Sequence, residues 1–156
     1  MRKRKPKVRV VHPDPRFNDV MVTQFVNNLM MSGKKTTAFA LFYEAMDIVK
    51  EKSGEEDEHA VWKKALNNAM PQFEVRSKRV GGSTFQIPVE LKGKRKLSVG
   101  MKWLIRFARA RSGKGMAEKL SAEILAASKG EGAAVKRKED THKMAECNRA
   151  FAHYRV

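Results

Sequence analysis

The chain has 156 residues, 42% of them apolar, and carries a formal charge of +16 from 33 Lys and Arg against 17 Asp and Glu. That length suits one domain with one hydrophobic core, and so much positive charge destabilises a compact fold unless a polyanion opposes it, nucleic acid first and an anionic membrane second. The one cysteine, Cys147, excludes an intramolecular disulfide and a cysteine-only zinc site, and no apolar run approaches the roughly 18 residues of a membrane span, so a soluble protein of a reducing, cytosolic compartment is expected.

Residues 1–16 hold Arg2, Lys3, Arg4, Lys5, Lys7, Arg9 and Arg16 against Asp14 alone, and Pro6, Pro13 and Pro15 oppose helix. An extended basic arm is expected, with Val8, Val10 and Val11 able to lie against another surface. The remainder, 17–156, reads as a helical domain. From a cap at Asn18 or Asp19, the residues Val22, Phe25, Val26, Leu29 and Met30 recur at three- and four-residue spacing until Gly33, which predicts an amphipathic helix. After Lys34 and Lys35, Thr36 or Thr37 can cap a second helix whose face carries Phe39, Phe42, Met46 and Val49 and which ends at Gly54. The short connection makes the two antiparallel neighbours. Acidic residues concentrate at Glu55, Glu56, Asp57 and Glu58, where they suit the positive end of a third helix's dipole and mark a face turned away from the polyanion. That helix carries Val61, Trp62, Ala65, Leu66 and Ala69 and stops before Pro71.

The period then changes to two. Phe73, Val75 and Ser77 alternate with Glu74, Arg76 and Lys78, and after Val80, Gly81, Gly82 and Ser83 come Phe85, Ile87 and Val89 alternating with Gln86, Pro88 and Glu90. This predicts a β-hairpin over about 73–90, with the two glycines supplying positive φ at the turn and Pro88 on an edge strand. A lone two-stranded ribbon is marginal in water, so it must lean on helices or on a partner. Helix resumes near Ser98, with Met101, Leu104, Ile105 and Ala108 inward and Arg106 and Arg109 outward; a fifth helix carries Met116, Leu120, Ile124 and Leu125, and a sixth, from about Ala133, carries Val135, Met144 and Phe151. The fold class expected is mainly α: a six-helix, bundle-like domain with a protruding hairpin and an extended basic arm. No internal repeat or long heptad run is present.

Basic residues gather in the arm, at Lys34 and Lys35, from Arg76 to Arg79, from Lys92 to Lys96, from Arg106 to Lys114, from Lys136 to Lys138, and from Arg149 to Arg155. Each cluster alone is an ordinary solvated surface; together they read as a composite phosphate-binding face. The candidates for that contact are Arg2, Lys3, Arg4, Lys5, Lys7, Arg9, Lys34, Lys35, Arg76, Lys78, Arg79, Lys92, Lys94, Arg95, Lys96, Arg109, Arg111 and Lys114. Lys92, Gly93, Lys94, Arg95 and Lys96 are expected in a loop that extends the hairpin's charge. No nucleophile, base or metal set stands at a recognised spacing, and Arg111-Ser112-Gly113-Lys114-Gly115 lacks both the spacing of a phosphate loop and the strand before it. His142 reads as polar surface and Cys147 as a small core residue. No enzyme, cofactor, metal or small-molecule substrate is expected. The reading from another class is an architectural or regulatory DNA-binding protein, which helices and a basic ribbon also describe.

Three stretches carry a resemblance: Phe25-Val26-Asn27 through Gly33-Lys34-Lys35, Glu74-Val75-Arg76-Ser77-Lys78-Arg79-Val80-Gly81-Gly82 through Pro88-Val89-Glu90, and Ala134-Val135-Lys136-Arg137-Lys138-Glu139-Asp140 through Ala150-Phe151-Ala152-His153-Tyr154-Arg155. Over Asp14 to Arg155 the chain resembles the bacterial type of small-subunit ribosomal protein seven. The resemblance implies six helices with a β-ribbon arm, direct binding to the 3′ major domain of small-subunit rRNA, and initiation of head assembly. It implies that the hairpin tip (Val80, Gly81, Gly82, Ser83) and the C-terminal Arg149, His153, Tyr154 and Arg155 lie near the exit-site tRNA and the mRNA path. It also implies contact with small-subunit proteins eleven and nine. Ser32 departs from the pattern where an acid is usual, Phe85 where Tyr is common, and Gly93 where Pro is frequent; many relatives continue past Val156.

Overall fold

In the computed structural model, which describes residues 9–55 and 57–154, six α-helices, one hairpin and a 3-10 helix follow in chain order. They are α1 (Val20–Leu29), α2 (Lys35–Ser53), α3 (Glu58–Ala69), β1 (Phe73–Val80), β2 (Ser83–Glu90), α4 (Gly93–Ala110), α5 (Met116–Ser128), α6 (Ala133–Cys147) and the terminal 3-10 helix (Arg149–Tyr154). Arg2, Lys3, Arg4, Lys5, Lys7, Val8, Glu56 and Arg155 lie outside the described residues.

Local chemistry sets most boundaries. Asp19 caps α1 by accepting the Met21 N–H at 2.8 Å. Burial alone would raise the pKa of that carboxyl, but hydrogen bonds from Lys63 and the Met21 N–H, with the charges of Lys63 and His59, lower it on balance. Ser32 and Gly33 turn the chain at φ 52° and 75°. That turn delivers Lys35 directly into α2, so neither Thr36 nor Thr37 serves as the expected cap; Lys34 holds the cap position without a side-chain bond. Gly54 ends α2 in the left-handed conformation, φ 68°. Asp57 caps α3 by accepting the His59 and Ala60 N–H groups at 3.0 and 3.1 Å.

α4 starts at Gly93, five residues before the expected Ser98, which turns the anticipated loop into the helix's first turn. Lys94 and Arg95 are exposed and Lys96 half-buried, so no apolar residue marks the start, and cations there oppose the helix dipole. At Gly100 an added Cβ would lie 2.7 Å from Met70 Cγ and 3.3 Å from Met70 Cα, which is how closely α4 approaches the end of α3.

α5 lies at the centre, touching α2, α3 and α4, with Leu120 and Ile124 fully buried. Phe25, Phe42 and Trp62, from α1, α2 and α3, form a triangle, ring centroids 5.5 to 5.9 Å apart and both Trp62 pairs edge-to-face, the geometry aromatic quadrupoles favour. α6 buries Ala134, Val135, Thr141 and Ala145. Met144 is therefore 41% exposed, and Cys147, about 200° round the helix from Ala145, is exposed rather than a core residue. Phe151 belongs to the 3-10 helix rather than to α6.

The inner end of the arm is tied down by charge. Asp14, 1% exposed, accepts the Arg16 and Phe17 N–H groups at 3.0 Å and the Tyr43 hydroxyl at 2.6 Å. Arg16, grouped by sequence with the arm's other cations, pairs with Asp47 at 2.6 Å and Glu58 at 3.0 Å. Burial, then the bond to Asp14, pushes the Tyr43 pKa up to about 12. A folded-state pKa raised above the ordinary 10.0 gives stability that is complete below pH 10 and is lost as pH climbs toward 12. Denaturant midpoints measured across that window should fall for the native chain more steeply than for Tyr43→Phe; parallel curves would refute this assignment.

Candidate nucleic-acid interface

β1 and β2 pair antiparallel from Phe73↔Glu90 to Val80↔Ser83, joined by Gly81 and Gly82 at φ 57° and 93°. Two successive positive φ values define the tight turn whose twist matches that of the strands. Alternation puts Glu74, Arg76 and Lys78 on one face, opposite Val89, Ile87 and Phe85, and leaves Arg79 on the other.

The ribbon leans on the C-terminal segment, as a two-stranded sheet must. Phe85 packs on Phe151 at 5.1 Å and stacks on Tyr154 at 5.6 Å, while Lys78 Nζ donates to the Tyr154 carbonyl at 3.1 Å. At its root the Gln72 N–H donates to His142 Nε2 at 2.9 Å, and Phe73 meets the same imidazole edge-on. Burial, helped by Lys138 and Lys96 and opposed by Glu146, lowers the His142 pKa and so favours the neutral ring that this bond requires. His142 is thus a joint between hairpin and α6, not merely polar surface.

Between this ribbon and the start of α4 runs a groove of about 600 Å³, lined by Arg76, Lys78, Lys92 and Arg95 together with Ile87, Val89, Leu91 and Tyr154. Glu74 bridges Arg76 and Arg95, yet their side chains remain 60% and 53% exposed, oriented but open to a ligand. Along α4, Arg95, Lys102, Arg106 and Arg109 fall at spacings of seven, four and three, within about 60° of helix surface. Lys102, Arg106 and Arg109 line a second recess of about 430 Å³ with Asn28. Arg109 also donates to the Leu29 carbonyl at 3.1 Å, closing the C-terminal end of α1, and shares a third recess with Lys34. Lys35, next in sequence, shares a fourth with Arg9.

The fold therefore sets Arg76, Lys78, Lys92 and Arg95 around one groove, Lys34 and Arg109 around another recess and Arg9 and Lys35 around a further one, with the α4 face from Arg95 to Arg109 and the neighbours Lys34 and Lys35 linking them in a basic belt. Among the described residues Lys34, Lys35, Lys92 and Lys94 have no ion-pair partner. Lys102 and Arg106 were absent from the candidates, although their spacing to Arg109 is visible in the sequence. Other candidates fall elsewhere. Arg111 pairs with buried Glu123, Lys114 sits in the α4–α5 loop outside these recesses, and Lys96, half-buried in the first turns of α4, lies within electrostatic reach of His142. Arg149 lines the cleft between α6 and the hairpin root with Phe73 and Pro88. The His153 ring lies 4.0 Å from that of Tyr154.

A family model described as ribosomal protein S7p/S5e matches residues 1–149. The chain belongs to this family. It is similar to the small ribosomal subunit protein uS7 of Cytophaga hutchinsonii, 59% identical over 155 residues, and to that of Flavobacterium psychrophilum, 59% identical over 157 residues, with 99% of each chain covered in both cases. The uS7 of Porphyromonas gingivalis is likewise 59% identical over 157 residues at the same coverage. As an S7-family member the chain is a structural component of the small ribosomal subunit and not an enzyme, which bears out the resemblance drawn from its motifs. Among the described residues no helix is long and apolar enough to cross a membrane.

Proposed function

We propose that the chain binds the 3′ major domain of small-subunit rRNA directly through the basic belt, nucleates assembly of the subunit head, and brings the hairpin tip to the exit-site tRNA and mRNA path. The belt carries this reading: cations from the arm, the α1–α2 loop, the hairpin and α4 adjoin one another along a surface broken by recesses. A folded RNA offers phosphates over such an irregular surface, whereas the DNA alternative would call for a helix or ribbon presented to a regular groove. Residues 1–16 act as an arm extending the belt, and residues 17–156 as the domain that carries it. Proteins eleven and nine of the small subunit are the proposed protein neighbours, on surfaces outside the belt.

The hairpin divides the work along its length. Val80, Gly81, Gly82 and Ser83 carry no charge and let backbone approach a ligand that must leave each cycle, while Arg76 and Lys78 on the belt face of the ribbon, and Arg79 on its opposite face, hold rRNA. Arg149, His153, Tyr154 and Arg155 adjoin this path. Replacing Val80–Ser83 by a shorter turn should leave subunit assembly largely intact and alter exit-site tRNA occupancy or reading-frame maintenance. Blocked assembly with unchanged occupancy in assembled subunits would overturn the division; crosslinking the chain to the isolated rRNA domain should yield peptides from the belt, and peptides mapping away from it would overturn the site.

A further inference from the structure

We propose that the groove between the hairpin and the start of α4 takes in the base of an unpaired nucleotide while Arg76, Lys78, Lys92 and Arg95 hold its flanking phosphates. This rests on the reading of the belt as an RNA-binding surface and adds a mode of contact that neutralisation of phosphates does not supply.

The groove is built in two zones. Ile87 and Leu91, 3% and 8% exposed, lie deep, and Val89 and Tyr154 are half-buried beside them. The four cations are exposed at the rim, two of them held in orientation by Glu74. A phosphate needs cations and N–H donors, not an apolar floor, and a site of about 600 Å³ lies within the roughly 300–1,000 Å³ of pockets that enclose an organic ligand. An apolar floor beneath a cationic rim is the complement of a nucleotide, whose base is flat and weakly polar on its faces and whose phosphates are charged. Bases stacked in a duplex do not present those faces; bases in loops, bulges and single strands do. Glu90, the one carboxylate in the lining, repels phosphate but can accept from an exocyclic amino group, so adenine is a better probe than uracil.

Methyl-resolved NMR of the full chain separates the two zones. Titration with AMP should move the Ile87 and Leu91 methyl resonances upfield, because a base face lies over them. Ribose 5-phosphate and inorganic phosphate, which lack the base, should leave these methyls in place. AMP should bind on the order of fivefold more tightly than ribose 5-phosphate, the low end for stacking of one base. A short single-stranded oligoadenylate should strengthen the same shifts, and an RNA duplex of equal charge should not. Equal affinity for AMP and ribose 5-phosphate, or Ile87 and Leu91 methyls unmoved by the oligoadenylate, would overturn the base pocket. If the chain still bound the 3′ major domain in a salt-dependent way, the base pocket alone would have failed; if that binding were also absent, the RNA-binding reading itself would fall.

Discussion

Replacing Arg76, Lys78, Lys92 and Arg95 together by alanine should reduce the fall in rRNA affinity between roughly 50 and 200 mM salt from about a thousandfold to about tenfold. The native value follows if about six phosphates are engaged, each contributing a slope near 0.9 in log affinity against log salt, and removal of four such contacts lowers the slope by about 3.6. The groove makes these four act together, since they share one rim. Glu74, whose side chain is 15% exposed, would lose both guanidinium partners, so Glu74→Gln belongs in the same variant to avoid an unpaired carboxylate. The matching control is neutralisation of Lys50, Lys52, Lys64 and Lys129, outside the belt, which should leave the slope almost unchanged. Equilibrium binding to the isolated 3′ major domain at several salt concentrations decides the matter. A nearly flat response of the native chain would show that phosphate contacts do not dominate the affinity, and an unchanged slope in the variant would move the contact elsewhere.

The parts of this surface that were legible in the sequence are those set by neighbours in the chain. The 3.6-residue stripe through Val22, Phe25, Val26 and Leu29 and the alternation from Phe73 onward each reflect one face turned to a core, and Gly81-Gly82 follows from the φ values of a tight turn. The start of α4 was not legible because its first turn faces solvent and offers no apolar period, only cations that ordinarily discourage a helix N-terminus. Met144 and Cys147 misled because apolar character alone does not choose a face; the buried side of α6 is set by small residues, Ala134 and Ala145, where helices come close. The belt itself depends on tertiary adjacency: Arg109 reaches Leu29 across 80 residues, and Arg95 meets Glu74 across 21. The same holds for the charges withdrawn from it. Arg111 looked like one more phosphate ligand until its partner, twelve residues on, proved to be a fully buried carboxylate.

That carboxylate should be a highly sensitive position for stability. Glu123 is 0% exposed on the central helix α5, with Oε2 accepting from Arg111 Nε at 2.5 Å and Oε1 accepting the Ala134 N–H at 2.9 Å. It thereby joins the end of α4 to the start of α6. α6 has no side-chain cap of its own, because Gly132 occupies the cap position at φ 95°, and an added Cβ there would lie 3.3 Å from Glu123 Oε1. Glu123 acts as the missing cap from another helix, placing negative charge at the positive end of the α6 dipole. Glu123→Ala leaves a guanidinium and a buried N–H without their acceptor, a loss of about 3–5 kcal/mol for a broken buried pair. The lower end applies because Arg111 remains 33% exposed and water screens it. Glu123→Gln keeps the shape and one acceptor and should lose less. Urea denaturation of the isolated chain measures both, and a value for Glu123→Ala within about 0.5 kcal/mol of the native chain, typical of a surface change, would show that the carboxylate does not hold the helices together. The consequence for the hairpin is specific. α6 carries His142 and leads into the 3-10 helix that supports Phe85, so loosening its start should speed hydrogen exchange at the Gln72 amide in Glu123→Gln under conditions where the core of α5 stays protected. Unchanged exchange at Gln72, with α6 amides already faster, would mean that the ribbon stands without α6.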